Sequence, residues 1–174
     1  QADNFVLAIN DPTDIDFTDT NRCDPIYAED FSSGFSNLTI FSVTGSQGWT
    51  HETAFGSPAP CAKISGFSGG SQNNEDWLIT SAIDLTNVAT ASFSFDNVKR
   101  FNGPDLEVYI STDYVGSRDP TIATWTQLTV TIDNNTGSLS SWSNSGMVDL
   151  MSYVGSNAYV RFKYVSITSG SATF

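Results

Sequence analysis

The chain is poor in the residues on which most metal and nucleophile chemistry depends. Its 174 residues include one histidine, His51, and two cysteines, Cys23 and Cys61. Structural and catalytic zinc sites draw most of their ligands from histidine and cysteine, so this chain lacks the usual ligand set. A Ser-His-Asp triad would have to use His51, and no phosphate-binding loop of the G-x-x-x-x-G-K-[ST] kind occurs. No motif singles out a catalytic pair of carboxylates either. We therefore expect a protein that is not an enzyme.

Positive charge and long apolar runs are also scarce. Seven Lys and Arg stand against 19 Asp and Glu, which gives a formal net charge of −12. Binding to nucleic acid or to an anionic membrane surface needs clustered basic residues, so neither partner is expected. No segment approaches the ~20 apolar residues of a membrane-spanning helix, so we expect no membrane insertion.

The two cysteines point to an export pathway. A pair of cysteines in an acidic chain rich in serine and threonine is typical of an exported protein with one disulfide. We predict a bond between Cys23 and Cys61, and two buried free thiols are the alternative. The expected location is secreted or at the outer cell surface.

The beginning of the chain differs in composition from the rest. Its charged residues are acidic except for Arg22, and residues 11–24 are rich in turn formers without a period. We interpret residues 1–25 as an acidic linker or the tail of a preceding module. Residues 26–174 are the predicted domain, which we expect to be attached to other domains of a larger protein.

From Ile26 onward the pattern is that of short strands. Segments rich in β-branched and aromatic residues alternate with clusters of Gly, Ser, Asn, Asp and Pro, and no long helical period occurs. Such a pattern favours an all-β sandwich or barrel. The predicted strands are residues 27–31, 38–43, 62–67, 77–80, 90–98, 106–112, 125–132, 147–150 and 158–166.

Three of these strands show clear two-residue alternation, which separates a core face from an outward face. The expected core side chains are Phe93, Phe95, Leu106, Val108, Ile110, Val160 and Phe162. The outward face carries Tyr109, Tyr159, Arg161 and Lys163.

The order of motifs along the chain resembles a known family. It includes Ala-Glu-Asp-Phe at residues 28–31, Gly-Trp at 48–49, Asn-Glu-Asp-Trp-Leu-Ile at 74–79, and Leu-Glu-Val-Tyr-Ile-Ser-Thr-Asp-Tyr at 106–114. In this order, over residues 26–174, the chain resembles the choice-of-anchor J domains, relatives of cleaved-adhesin and MAM-type jelly rolls. The resemblance implies an antiparallel β-sandwich of two packed sheets, without catalysis. Such domains serve adhesion or glycan binding in secreted or surface proteins of bacteria.

The sequence departs from the family pattern in two places. The acidic D-x-D-G-D-G loop of some cleaved-adhesin members is absent, and residues 44–53 occupy its place without an aspartate. The chain also ends at residues 171–174, where the family adds a last strand with an acidic pair. A missing last strand is therefore one expectation.

The resemblance also implies calcium, because a structural calcium ion is common in such jelly rolls. Calcium takes six to eight oxygen ligands. Glu29 and Asp30, on the predicted opening strand, are the first choice, and the cluster at residues 73–76, with Asp76, is the second. Acidic residues of solvated turns and strand ends are the alternative interpretation.

Sugar binding needs exposed aromatic faces beside hydrogen-bonding groups, because sugar rings offer both apolar C–H patches and hydroxyls. Trp49 and Trp142 lie in loop-like stretches, and His51 and Glu52 are placed to bind hydroxyls beside Trp49. The outward face with Tyr109 and Arg161 is a second platform, unless it is an ordinary solvated sheet face. We predict a non-catalytic carbohydrate-binding module that binds polysaccharide through exposed aromatics. A protein–protein adhesion or structural spacer domain is the alternative.

Overall fold

The computed structural model describes residues 25–137 and 141–174. Within these ranges the chain forms short β-strands and two single-turn 3₁₀ helices, Pro120–Ile122 and Met151–Tyr153. The part of the chain that is described contains no helix long and apolar enough to span a membrane. The strands are β1 Leu38–Thr44, β2 Thr50–Glu52, β3 Cys61–Lys63, β4 Asn74–Thr80, β5 Ile83–Asp84, β6 Ser92–Phe93, β7 Asp96–Asn97, β8 Glu107–Ser111, β9 Thr126–Leu128, β10 Ser143–Asn144, β11 Val148–Asp149 and β12 Asn157–Ser166.

One large antiparallel sheet organises the domain. Its strand order is β1-β4-β12-β8-β9, and β5 pairs with the beginning of β12. The central strand β12 pairs Phe162 with Leu78 of β4 on one side and with Val108 of β8 on the other. Shorter pairs complete the structure, β6 with β11, β7 with β10, and β2 with β3. The predicted all-β antiparallel sandwich is confirmed.

The main core lies on the face of the large sheet that the alternation predicted. Val108, Ile110 and Val160 are almost fully buried in one cluster, and Leu106 is buried in a neighbouring one. Phe93, Phe95 and Phe162 are only partly buried. They pack against this core as one group of tilted and edge-to-face rings, with centroids 5.0–6.2 Å apart.

The last residues of the chain fill a second part of the core. Thr173 forms antiparallel bridges to both Ser65 and Arg100. Ala172 and Phe174 are buried in a cluster with Ile64, Leu78, Leu106, Tyr164 and Trp49. Residues 171–174 therefore join three segments of the chain.

The predicted opening strand at residues 27–31 is wrong. Residues 27–30 adopt no regular structure, and a turn follows them. Glu29 Oε1 accepts a hydrogen bond from the Phe31 amide, and Asp30 Oδ1 accepts one from the Ser32 amide. Because these side chains bond their own neighbouring backbone, they compete with strand pairing. Phe31 takes a left-handed backbone angle, φ 59°, which also ends an extended segment.

Candidate functional site

Trp49 does not offer a surface for ligands. Its side chain is only 8% exposed and packs in the cluster of Ile64, Leu78 and Phe174. The prediction of an exposed Trp49 is wrong, because residues 171–174 fold back and complete the pocket in which its ring lies. His51, on β2, is exposed, and its ring meets the edge of Phe35 at 6.0 Å.

Glu52 forms a defined polar group beside the loop between β2 and β3. Its carboxylate accepts a hydrogen bond from Ala54 N at 3.2 Å and pairs with Lys63 Nζ at 3.2 Å. The hydrogen bond from Ala54 and the contacts with Lys63 lower the pKa of Glu52, so it is an anion at neutral pH. The carboxylate is therefore held on the strand that leads into this loop.

The same loop carries an aromatic pair that includes a predicted residue. Trp142 is half-buried, and its ring lies 5.9 Å from that of Phe55, which is 36% exposed, at an angle of 33°. Phe55 lies between β2 and β3, and Trp142 directly precedes β10. The structure therefore places Trp142 on a partly exposed aromatic surface. Phe55 was not among the predicted site residues, and because it is distant from Trp142 in sequence, no local pattern connects them.

Tyr109 and Arg161 meet on the face of the large sheet that lies opposite the main core. The Arg161 guanidinium carbon lies 3.9 Å from the ring centre of Trp77, 4.4 Å from that of Tyr109 and 4.7 Å from that of Trp125. Cations over aromatic faces are attracted by the ring quadrupole. The predicted pair is thus brought together, but inside an aromatic cluster.

This cluster is covered by the segment between β8 and β9. Trp125 Nε1 donates to Pro120 O at 2.8 Å, and the Asp113 carboxylate accepts from Thr124 N at 2.9 Å. These bonds hold the segment closed over the sheet, and Arg161 is only 8% exposed. The expectation of an open platform at Arg161 is therefore wrong.

Polar bonds complete the edge of the cluster. Tyr109 donates to Glu107 Oε2 at 2.7 Å, and Lys163 pairs with the same carboxylate at 3.2 Å. Burial, together with the Glu107 hydrogen bond and charge, raises the pKa of Tyr109 to about 12. Burial lowers the pKa of Arg161, although Tyr109, Glu75 and Glu107 oppose that effect. These contacts hold the side chains of this sheet face against one another.

The acids that the resemblance places first for calcium are occupied by local bonds. Glu29 and Asp30 each accept a backbone hydrogen bond from the following turn, at 2.7 and 2.9 Å. These bonds hold the pKa of Asp30 below its usual range. Among the described residues no group of three or more His, Cys, Asp or Glu is close enough to hold a metal. Carboxylates alone therefore make no calcium site in this part of the chain.

The second candidate, around Asp76, is a buried polar group at the beginning of β4. Asp76 is fully buried, and its Oδ1 has no hydrogen-bond partner within the described residues. Burial raises the pKa of this carboxyl group, although hydrogen bonding from the Ser42 and Asn74 side chains opposes that effect. The buried Asn74 amide donates to Asp76 Oδ2 and, at 3.0 Å, to the backbone oxygen of Gln47. The side-chain oxygen of Gln47 is also buried without a partner in the described structure.

The described residues contain no disulfide. Cys61, at the beginning of β3, is buried, and burial together with the charge of Glu52 raises the pKa of its thiol. Cys23 lies outside the described residues, so the pairing of the two stays a prediction.

One serine lies within a G-x-S-x-G pattern, at residues 66–70. In hydrolases this pattern forms a sharp turn from a strand into a helix. Here Ser68 is exposed in a turn closed by the bridge between Phe67 and Ser71. The turn does not have the geometry that the nucleophile pattern requires.

Comparisons with known proteins identify relatives of the fold. No protein family and no curated protein matches the chain. The K2 cleaved adhesin domain of Lys-gingipain is 17% identical, with a TM-score of 0.56 over 84% of this chain and 94% of that domain. The K1 domain, from Porphyromonas gingivalis, is 19% identical, with a TM-score of 0.53 over 79% of this chain and 86% of that domain. The K3 domain, from the same organism, is 14% identical, with a TM-score of 0.50 over 83% of this chain and 93% of that domain. The chain therefore has a cleaved-adhesin-like fold.

Proposed function

We propose that this domain is a non-catalytic carbohydrate-binding module of a secreted or surface multidomain protein. The observation that carries the proposal is the Phe55–Trp142 pair, two aromatic rings in contact at 5.9 Å on surface segments. Neither ring belongs to the buried clusters of the described structure. Loops on a rigid sandwich are the usual place for binding residues. The pair is therefore the stacking surface that we assign to a sugar chain.

The chemistry beside the pair suits a neutral polysaccharide. Sugar rings present apolar C–H faces to aromatic rings and hydroxyls to polar side chains. The Glu52–Lys63 ion pair lies on the strands that flank the loop of Phe55, and it offers an acceptor and a donor for sugar hydroxyls. A net charge of −12 repels sulfated or uronic chains at long range. Neutral polysaccharide is thus the expected ligand class.

Protein–protein adhesion is the second candidate function. The cleaved adhesin domains that share this fold are named for adhesion, which favours a surface role of that general kind. The edge strand β1 adds an observation from the chain itself. It contains no charged residue or proline, and Ile40 and Val43 are each 45% exposed. Exposed, uncharged edge strands are prone to pair with another chain.

A screen of neutral and acidic polysaccharides, followed by calorimetric titration of the strongest ligand, tests the proposal. We expect Trp142→Ala to weaken binding about 30-fold, which corresponds to the ~2 kcal/mol of an anchor residue. Phe55→Ala should weaken it by a smaller factor, because its ring supports that of Trp142. Phe101→Ala is the matched control, since Phe101 is an exposed ring (50%) on a different loop.

Equal affinity in the wild type and in both site variants would reject this placement of the site. A domain that binds no polysaccharide in the screen would reject the carbohydrate function and favour adhesion. In that case charged substitutions at Ile40 and Val43 should reduce binding to the protein partner.

A further inference from the structure

The loop between β7 and β8 carries the only Asn-Gly sequence of the chain, at Asn102 and Gly103. Asn102 is exposed, and its side chain makes no hydrogen bond within the described part of the chain. The backbone N–H of Gly103 also donates to no acceptor among the described residues. The side-chain amide of Asn102 and the backbone nitrogen that follows it are therefore both free to react.

An asparagine that precedes glycine can lose its side-chain amide without an enzyme. The backbone nitrogen of the glycine attacks the side-chain carbonyl carbon of the asparagine, a C–N bond forms, and the side-chain nitrogen leaves as ammonia. Water then opens the resulting cyclic imide at either of its carbonyl carbons. The products are aspartate and isoaspartate, and the isoaspartate backbone is longer by a methylene group. Glycine favours ring closure because it has no Cβ atom to obstruct the approach.

The fold protects another exposed asparagine, Asn144, from this reaction. The Asn144 side chain donates to Asp96 Oδ1 at 2.9 Å, which holds the amide in place. The nitrogen that would have to attack belongs to Ser145, and it donates to Phe95 O at 2.8 Å. Both asparagines are exposed, so the hydrogen bonds distinguish them.

The loop at Gly103 has no spare room on its inner side. A Cβ atom on Gly103 would lie 2.4 Å from Ala172 N, and a Cβ atom on Gly170 would lie 3.2 Å from Asn102 O. Lys99 Nζ donates to Gly103 O at 3.1 Å and fixes the position of that carbonyl group. A longer backbone between Asn102 and Gly103 must therefore displace the segment that packs against it.

We propose that Asn102 is a modification site, at which attack by Gly103 converts the asparagine into aspartate and isoaspartate as the protein ages. The reaction consumes water, releases ammonia and adds a negative charge at neutral pH. The isoaspartate form should loosen residues 171–174, which fill the core beside Trp49. The aspartate form should keep the fold, because its backbone has the ordinary length and its carboxylate reaches solvent.

Peptide mapping of the aged, folded protein measures the reaction. Trypsin cuts after Arg100 and Arg118 and releases residues 101–118, in which Asn102 is the only side-chain amide. A conversion of amide to acid in this peptide therefore reports on Asn102 alone. At mildly alkaline pH we expect Asn102 to convert about 30-fold faster than Asn144, the factor that corresponds to two hydrogen bonds of ordinary strength. Electron-transfer fragmentation distinguishes isoaspartate from aspartate.

Thermal unfolding measures the effect of the modification on the core. Protein rich in isoaspartate should melt about 3–8 °C below the unaged protein. Asn102→Asp is the matched control, because it adds the same charge on an ordinary backbone, and its melting temperature should change by less than about 2 °C. Asn102→Gln should neither convert nor lose stability on ageing, because its longer side chain would have to close a larger ring.

Two results would overturn the inference. Conversion of Asn102 at the rate of Asn144 or below would show that the free amide and the following glycine do not make a reactive site. A melting temperature of isoaspartate-rich protein equal to that of Asn102→Asp would show that the longer backbone does not disturb the core. Neither measurement involves a sugar, so this inference and the proposed function fail separately.

Discussion

Removal of one hydroxyl group should strongly destabilise the domain. Tyr164 is fully buried near the C-terminal end of β12. Its hydroxyl group donates to Ala172 O at 2.6 Å and accepts from Gly66 N at 2.7 Å. One oxygen atom therefore joins the central strand, the segment after β3 and the last residues of the chain.

The size of the effect follows from the groups that Tyr164→Phe leaves behind. The ring stays, so no large cavity forms, but a buried amide and a buried carbonyl lose their partner. An unsatisfied buried polar group costs about 1–3 kcal/mol. We expect a total loss of about 2–4 kcal/mol in the free energy of unfolding. For a domain of this size such a loss corresponds to a decrease of roughly 5–15 °C in melting temperature.

Urea unfolding followed by tryptophan fluorescence measures this loss as a lower midpoint at constant slope. Tyr153→Phe is the control, because Tyr153 is only partly buried and its hydroxyl group makes no hydrogen bond within the described structure. That variant should change the free energy of unfolding by less than about 0.5 kcal/mol. A loss below ~1 kcal/mol in Tyr164→Phe would refute the role that we assign to the hydroxyl group.

Three further predictions concern other parts of the domain. Arg161→Lys should lower the free energy of unfolding by about 1–2 kcal/mol, because a compact ammonium group cannot stack on three rings at once; unchanged stability in urea would contradict this. Glu107→Gln should lower the pKa of Tyr109 from about 12 toward 10 in an ultraviolet titration, since Glu107 is one cause of the shift. In the wild type the raised pKa of Tyr109 contributes stability that is complete below pH ~10 and is lost as the pH rises toward 12. Gly45→Ala should destabilise the domain by more than 1 kcal/mol in urea, because its Cβ would lie 1.7 Å from Asn74 Oδ1; a neutral effect would show that the loop is free to move away.

The fold was predictable because it depends on local alternation. Apolar residues occupy every second position in two strands that pair with each other. The two strands therefore bury the same face of the sheet, which carries Leu106, Val108, Ile110 and Val160. The same pattern wrongly predicted an opening strand at residues 27–31. Its acidic side chains bond their own backbone, which apolar pattern alone does not reveal.

The candidate sites depend on contacts between distant segments. Trp49 lies among polar residues in the sequence, but residues 171–174 return to bury it. The alternation of β12 correctly places Arg161 on the outward face. The segment between β8 and β9, which carries Trp125, covers its guanidinium group. Phe55 gains its role only because Trp142 lies beside it. The sequence identified most of the aromatic and polar side chains of the candidate sites. The packing of distant segments determines which of these side chains are exposed to solvent.

The most direct test of carbohydrate binding uses the four tryptophan side chains as separate probes. The chain contains four tryptophans, so a ¹H–¹⁵N spectrum should show four indole N–H signals. Trp49 and Trp77 are buried, Trp125 is partly buried within the segment between β8 and β9, and Trp142 is on the proposed surface. On titration with the best neutral polysaccharide, the signal absent from Trp142→Phe should shift most, and the other three should shift little. An unchanged Trp142 signal under saturating polysaccharide, or larger shifts at Trp77 and Trp125, would contradict the assignment of the Phe55–Trp142 surface as the sugar-binding site.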